Sequence, residues 1–266
     1  MKYSILILLV SASVLLSCHK TELPAVGSGK TNGMATGTSP GTPGGSGQNG
    51  LPASNSILVD ASKDGGGWWY PQGPNAGGYT AEAQHQGKVL VDYLKSLGFL
   101  VDELPRGAVI TTELLSKYSK VIRATAFYNY SLDELAAYET FLSKSSSLLL
   151  ISDHMQNTVN DRLSERLGLM FEGSQWGPIT IFQAHPITNG VSSLNFIAGS
   201  AISSWDASKI TVLGFHGLPS GNEVTGNGVM GIVNNPTSKI FFIGDINGIE
   251  QVPQPFTSNV VKWLFQ

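Results

Sequence analysis

The chain has 266 residues, a net charge of −3 and a single cysteine, Cys18. Nucleic-acid binding relies on clustered lysine and arginine, and the sequence has no basic stripe, so we expect no nucleic-acid partner. One cysteine so near the start excludes disulfides within the chain, thiolate metal sites and a cysteine nucleophile in the folded domain.

Residues 1–17 have the features of a secretory signal peptide, with Lys2 followed by an apolar run too short for a stable membrane span. Residues 15–18 (Leu-Leu-Ser-Cys) resemble the lipobox of bacterial lipoproteins. That resemblance implies cleavage before Cys18 and its modification by acyl chains that anchor the protein to a membrane. We therefore expect the protein in the bacterial cell envelope, at the outer membrane or the cell surface. An ordinary signal peptide with a chance cysteine is the alternative.

Residues 18–55 begin with the predicted lipidation site, Cys18, and contain, from about residue 26, mostly Gly, Ser, Thr, Pro and Asn. A segment with so few apolar residues cannot bury enough surface to fold, so we expect a flexible tether. The remaining residues, 56–266, fit one domain.

Up to residue 168 the domain alternates between strand and helix patterns. The predicted strands are residues 56–60, 99–104, 120–125 and 148–151, and the predicted helices are residues 80–97, 111–118, 131–142 and 160–167. With right-handed crossovers, this alternation predicts an α/β fold with a doubly wound, mostly parallel sheet of the flavodoxin or Rossmann type. The apolar run of residues 148–151 is predicted to be its central strand.

Beyond residue 173 the pattern changes to strands joined mainly by loops. These predicted strands cover residues 179–182, 210–215, 229–233 and 239–245. Strands without long crossovers pair antiparallel, so this part is expected to be an antiparallel C-terminal extension of the sheet. Pro255 is predicted to open a last helix.

The element order, the run His-Pro-Ile-Thr-Asn-Gly-Val at residues 185–191 and the run Ile-Gly-Asp-Ile-Asn at residues 243–247 resemble the class I glutamine amidotransferase-like superfamily. The likeness points to non-amidotransferase members, such as the auxiliary domain of gliding-motility ABC transporters. Catalytic members of that superfamily carry a cysteine between glycines after the central strand, where residues 152–155 here read Ser-Asp-His-Met. The resemblance therefore implies the fold without glutamine hydrolysis.

Three acidic residues, Asp60, Asp153 and Asp245, each stand at the carboxyl end of a predicted strand. Ligands of open α/β sheets bind at that edge, so these side chains could line one crevice. They could bind a polar ligand or a divalent cation, or Asp153 and its neighbour His154 could act as an acid–base pair. The alternative is that each aspartate closes a turn or caps a helix. We expect no cofactor, and a cation is not favoured.

The loop after the first predicted strand contains Trp68, Trp69 and Tyr70, and His85 follows in the first predicted helix. Flat aromatic faces with a polar edge suit sugar rings or a protein partner, so these residues are candidates for ligand binding. The aromatic side chains could instead cover the end of the sheet, and His85 could be structural.

Two functions follow from these observations. The first is an envelope lipoprotein whose domain is non-catalytic and binds a glycan or an envelope protein in the crevice. The second is a hydrolase of carbohydrate or ester substrates that uses Asp153 and His154. The absence of a recognisable nucleophile favours the first.

Overall fold

The computed structural model describes residues 55–65, 68, 86–153, 161–217, 228–250 and 255–266. Its strands are β1 (Ser56–Asp60), β2 (Leu100–Leu104), β3 (Lys120–Arg123), β4 (Ser147–Ile151), β5 (Leu169–Ile179), β6 (Ile181–Phe182), β7 (Leu194–Trp205), β8 (Ile210–Phe215), β9 (Gly228–Val233) and β10 (Lys239–Ile243). Its α-helices are α1 (Lys88–Ser96), α2 (Thr112–Leu115), α3 (Leu132–Leu142), α4 (Arg162–Leu167), α5 (Asn247–Glu250) and α6 (Pro255–Phe265).

Eight strands form the main sheet in the order β2-β1-β3-β4-β10-β9-β8-β6. The pairs from β2 to β10 are parallel, and those from β10 to β6 are antiparallel. This arrangement confirms the predicted α/β class, the mostly parallel sheet and its antiparallel extension. The chain changes direction across the sheet between β1 and β3, which makes their carboxyl ends the switch point where such sheets bind ligands.

Both faces of the sheet are covered, which explains why β4 is buried along its whole length. Leu149 and Ile151 pack in the cluster that includes residues of α1 and α6, and Leu148 and Leu150 pack in the cluster that includes residues of α2, α3 and α4. The outer strand β2 is half-exposed, and its sequence includes the acidic residues Asp102 and Glu103.

Local capping signals set the helix starts on the second face. Ser131 and Glu134 form the predicted capping box at the start of α3. The helix predicted from residue 160 is capped instead by Asp161, which accepts a hydrogen bond from the Ser164 N–H at 3.2 Å. The predicted helix 80–97 is described from Lys88 onward, and residues 80–85 lie outside the described part.

A two-stranded antiparallel ribbon of β5 and β7 lies outside the main sheet and was not predicted. Its register shifts three times between Met170 and Gly177, so its side chains do not alternate regularly. The ribbon crosses the carboxyl end of β10, where the Ser200 N–H donates to the Gly244 carbonyl at 2.6 Å. A Cβ on Gly244 would lie 2.0 Å from the Ser200 oxygen, so the close crossing requires glycine there.

Candidate functional site

The carboxyl ends of four neighbouring strands bring the predicted acidic residues to one edge of the sheet. Asp60 ends β1, Arg123 ends β3, Asp153 follows β4 and Asp245 follows β10. All four side chains are fully buried. Buried charges need compensating partners, so the partners of each one decide what it can do.

Asp60 is held by a hydrogen-bond network from the second face of the sheet. The Tyr130 and Tyr138 hydroxyls donate to one of its carboxylate oxygens at 2.7 and 2.6 Å, and the Ser62 N–H donates to the other at 2.9 Å. Burial, and after it the charge of Asp60, raise the pKa of both tyrosines well above the ordinary range. The network satisfies the carboxylate and keeps both tyrosines protonated, which is the turn-closing role given above as the alternative for Asp60.

Arg123 lies next to Asp60 in the register of β1 and β3. Its Nη2 pairs with Oδ2 of Asp161 at 2.5 Å, and both side chains are buried. Burial lowers the pKa of Arg123 because it disfavours the charged form. The negative charge of Asp161 outweighs this effect, so the pKa of Arg123 lies above its ordinary value. Asp161 is therefore a buried counter-ion as well as the cap of α4.

Asp153 is buried, and its predicted partner His154 lies outside the described residues, as do Trp69, Tyr70 and His85. The acid–base pair of Asp153 and His154 therefore stays a prediction. Among the residues that the structure describes, no three Asp, Glu, His or Cys side chains could together hold a metal ion. Asp60, Asp153 and Asp245 thus do not form such a group.

Trp68 does not offer its ring to a ligand, because its side chain is fully buried in the core. Its indole packs against Gly87, and its Nε1–H donates to Glu103 at 3.1 Å. Its backbone N–H donates to Asp64 at 2.8 Å. Because its ring lies in the core, Trp68 does not provide the exposed aromatic face that the ligand-binding prediction assumed.

Asp245 and Glu250 form an acidic pair at the end of β10. The N–H groups of Ile197 and Asn247 donate to the two oxygens of Asp245 at 2.5 and 2.7 Å. The Asn247 amide also donates to Oε2 of Glu250, at 3.4 Å, while the buried Oε1 has no hydrogen-bond partner among the described residues. Burial raises the pKa of Asp245 to about 7; burial and then the charge of Asp245 raise the pKa of Glu250 to about 7.

The ribbon also carries an exposed aromatic residue, opposite the segment of β7 that donates a hydrogen bond to Asp245. In the irregular stretch of the ribbon, Trp176 lies opposite Ile197 and Ala198, between the pairs Gln175–Gly199 and Gly177–Phe196. The Trp176 side chain is 61% exposed and that of Ile197 is 42% exposed. Ala198 has φ +58°, a conformation that residues other than glycine rarely adopt and that concentrates at functional sites. The backbone of Ile197 thus joins the Trp176 surface to Asp245.

The run at residues 185–191 has a structural role. His185 caps a short 3-10 turn, Pro186–Thr188, and its pKa is lowered by burial. The Asn259 amide of α6 donates to the carbonyls of Ile187 and Asn189 at 3.2 and 2.8 Å. This motif therefore fastens the turn to α6 rather than presenting His185 for chemistry.

Sequence reasoning found Asp245 but missed Glu250 and Trp176. Glu250 lies five positions after Asp245 and was not linked to it because α5 was not predicted. Trp176 lies in a Gly-rich stretch without strand alternation. The sequence did contain a signal for the buried ion pair of Arg123, since an arginine in an otherwise apolar strand needs a buried counter-ion.

Cys18 and the predicted signal and tether lie outside the described residues. Within the part that is described, no helix is both long and apolar enough to cross a membrane.

No family model and no curated protein matches the chain. Among solved structures, the mmIFT52 N-terminal domain superposes with a TM-score of 0.58 at 14% identity, over 79% of this chain and 97% of that one. A ThuA-like protein from Bacteroides uniformis gives 0.51 at 14% identity, over 84% and 94%. A cold-adapted β-galactosidase from Rahnella sp. R3 gives 0.50 at 15% identity, and the match spans only 31% of that enzyme. Identities this low establish the fold alone: the chain shares the overall α/β fold of these structures.

Proposed function

We propose that the chain is a cell-envelope lipoprotein, anchored through Cys18, whose amidotransferase-like domain binds a glycan without cleaving it. The observation that carries the glycan site is the exposed Trp176 beside Ile197, whose backbone N–H donates to the buried Asp245. The lipobox-like residues 15–18 support the anchor.

The chemistry of the site suits a sugar. An exposed indole provides an apolar face for the C–H groups of a pyranose ring, and Ile197 extends that face. This surface replaces the Trp68 loop as the proposed aromatic platform.

Hydrolysis of a glycosidic bond is the second candidate. Glycoside hydrolysis uses two carboxyl groups, one protonated as the acid and one ionised as the base or nucleophile. Asp245 and Glu250 are a neighbouring pair of carboxyl groups, but burial raises the pKa of both to about 7 instead of the pKa of one alone. Both oxygens of Asp245, however, already accept backbone hydrogen bonds, and its side chain is fully buried. Binding without cleavage therefore fits the geometry better.

A glycan array followed by calorimetric titration tests the proposal, using the full chain with Cys18→Ser to remove the lipid. We expect Trp176→Ala to weaken binding by at least about tenfold, the equivalent of ~1.4 kcal/mol. Tyr128→Ala is the matched control, because Tyr128 is 64% exposed but lies in the loop after β3. Equal binding by both variants, or no glycan bound by the parent, would contradict the proposal.

The same samples decide between binding and hydrolysis. If new reducing ends accumulate with the bound glycan and Glu250→Gln abolishes them, the second candidate replaces the first. If the glycan is recovered intact after prolonged incubation, the non-catalytic proposal stands.

A further inference from the structure

The amino-terminal edge of the main sheet, opposite the edge that carries Asp60 and Asp245, collects exposed lysines. Helices α1 and α3 lead back from one parallel strand to the start of the next. The last turn of α6 reaches the start of β4, where the Ser147 hydroxyl donates to the Leu264 carbonyl at 2.6 Å. Four exposed lysines stand at these helix ends and strand starts: Lys95 in α1, Lys144 after α3, Lys239 in β10 and Lys262 in α6.

Three of these lysines are brought together by contacts between their segments. The hydroxyl of Ser238, the residue before Lys239, lies 2.9 Å from the carbonyl oxygen of Lys144. The Nζ of Lys239 donates to the carbonyl of Trp263, the residue after Lys262, at 2.9 Å. The starts of β4 and β10 and the end of α6 therefore place three positive charges in one region.

Acidic side chains do not neutralise these lysines. Among the described residues, none of the four forms an ion pair. A helix dipole favours lysine in a last turn, which explains Lys95 and Lys262, but Lys239 begins a strand. Nearby acidic residues pair with other cations, in the pairs Glu113–Lys117, Glu139–Arg166 and Asp206–Lys209. The edge thus keeps a surplus of exposed positive charge.

Two exposed leucines lie at the same edge, where the preceding chain enters the domain. Leu97 is 41% exposed at the end of α1, and Leu100 is 64% exposed at the start of β2. The Leu100 N–H donates to the carbonyl of Asn55, the residue before β1, at 3.0 Å. Phe99 and Phe265 pack edge to face with their ring centroids 6.2 Å apart, which joins this corner to the end of α6.

An anionic membrane surface is the partner that uses both features. Lysines close to such a surface are attracted by lipid phosphates, and apolar side chains beside them enter the headgroup region. A nucleic acid or another soluble polyanion would use the lysines but would give the leucines no apolar partner. The chain that carries Cys18 also joins the domain at this edge, through Asn55.

We propose that this edge, defined by Leu97, Leu100 and the four lysines, is a membrane-binding face for anionic phospholipid headgroups. It holds the domain on the membrane and leaves the carboxyl edge on the far side, accessible to a glycan. This orientation rests on the proposed anchor at Cys18. Binding of the edge to lipid is tested without the anchor, so either proposal can fail without the other.

The test uses the full chain with Cys18→Ser, which carries no acyl chain, and measures cosedimentation with vesicles. One set of vesicles is phosphatidylcholine, and the other is an equal mixture of phosphatidylcholine and phosphatidylglycerol. We expect tighter binding to the mixed vesicles and a loss of that preference at high salt. Residues 1–54 are identical in every variant, so differences between variants report on the domain.

The lysines are tested by the double variant Lys144→Gln with Lys262→Gln. It should bind the mixed vesicles at least about tenfold more weakly than the parent. The matched control is Lys88→Gln with Arg162→Gln, which removes the same charge from exposed positions at the starts of α1 and α4. Equal losses in the two double variants, or no preference of the parent for phosphatidylglycerol, would overturn the proposal.

The leucines separate a membrane from other polyanions. Leu100→Gln should weaken binding to the mixed vesicles severalfold, whereas Leu132→Gln, at a 68% exposed position at the start of α3, should bind like the parent. If Leu100→Gln also binds like the parent, the edge does not enter a bilayer and the membrane assignment is wrong.

Discussion

At the scale of single residues, the strand ends show four buried charges with different partners. Asp60 is satisfied by tyrosines 70 and 78 residues away in sequence, and Asp245 by backbone N–H groups of β7 and α5. The sequence could place an aspartate at a strand end, because the apolar run before it is visible. It could not assign the role, because the partners come from distant segments.

Tyr138→Phe is predicted to lower the free energy of unfolding by about 1.5–3 kcal/mol. The change removes a 2.6 Å hydrogen bond to the buried carboxylate of Asp60 and fills nearly the same volume. Urea unfolding at neutral pH measures the loss. Tyr118→Phe is the control, since its hydroxyl donates to Asp102 at an exposed position and should contribute less. Equal losses in both variants would contradict the importance of the Asp60 network.

Stability should fall as the pH rises from about 4 to 7. The folded-state pKa values of Asp245 and Glu250, about 7, lie above their ordinary values of 3.8 and 4.5. Between those limits the folded state binds more protons than the unfolded state, so raising the pH favours unfolding, and the effect levels off above 7. The two groups interact, so the transition belongs to the pair.

The variant Glu250→Gln checks whether Asp245 and Glu250 cause this pH dependence of stability. The substitution removes one of the two carboxyl groups with a raised pKa, and with it the charge repulsion between them. The unfolding free energy of the variant should therefore depend less on pH between 5 and 7. Urea unfolding at several pH values provides the comparison. A pH profile identical to that of the parent would show that other groups set the dependence.

At the scale of elements, prediction succeeded where a signal is local. The capping box of α3 and the continuous apolar run of β4 are both local patterns, and both elements formed as predicted. The ribbon of β5 and β7 was not predicted, because its bulges break the alternation of apolar and polar residues and its pairing joins residues far apart in sequence. The candidate glycan site depends on this ribbon, which is why most of that site was missed.

Gly199→Ala is predicted to destabilise the protein by about 1–3 kcal/mol and to abolish glycan binding. A Cβ at this position would lie 2.5 Å from the Cβ of Asp245 and 2.8 Å from the Gly244 oxygen, so the ribbon must shift. Unfolding measurements and the glycan titration check the two effects. Ser204→Ala, an exposed position on the same strand, should change neither, and normal binding by Gly199→Ala would contradict the proposed geometry.

At the scale of the whole molecule, the fold was predictable and the ligand was not. Alternating strands and helices allow few topologies, so the parallel sheet followed from the order of the elements. What the domain binds depends on a few side chains at one edge, and folds of this kind carry many functions. The proposed anchor is likewise a property of the complete chain rather than of the domain.

Expression of the complete chain in a bacterial host tests the anchor. With lipoprotein processing, an alkyne-labelled fatty acid should be incorporated into the parent, which should sediment with membranes. Cys18→Ser should lose the label and remain in the supernatant. A parent that is unlabelled and recovered free would contradict lipidation.

The position of β10 in the sheet has a consequence for biosynthesis. It is the last strand in sequence, yet it lies between β4 and β9 and joins the parallel part of the sheet to the antiparallel part. The two parts cannot unite until Ile243 has left the ribosome, after every other strand of the sheet has been made. If the chain is exported as we propose, this order is an advantage, because a strand from the middle of the sheet is made last and the sheet stays open until then.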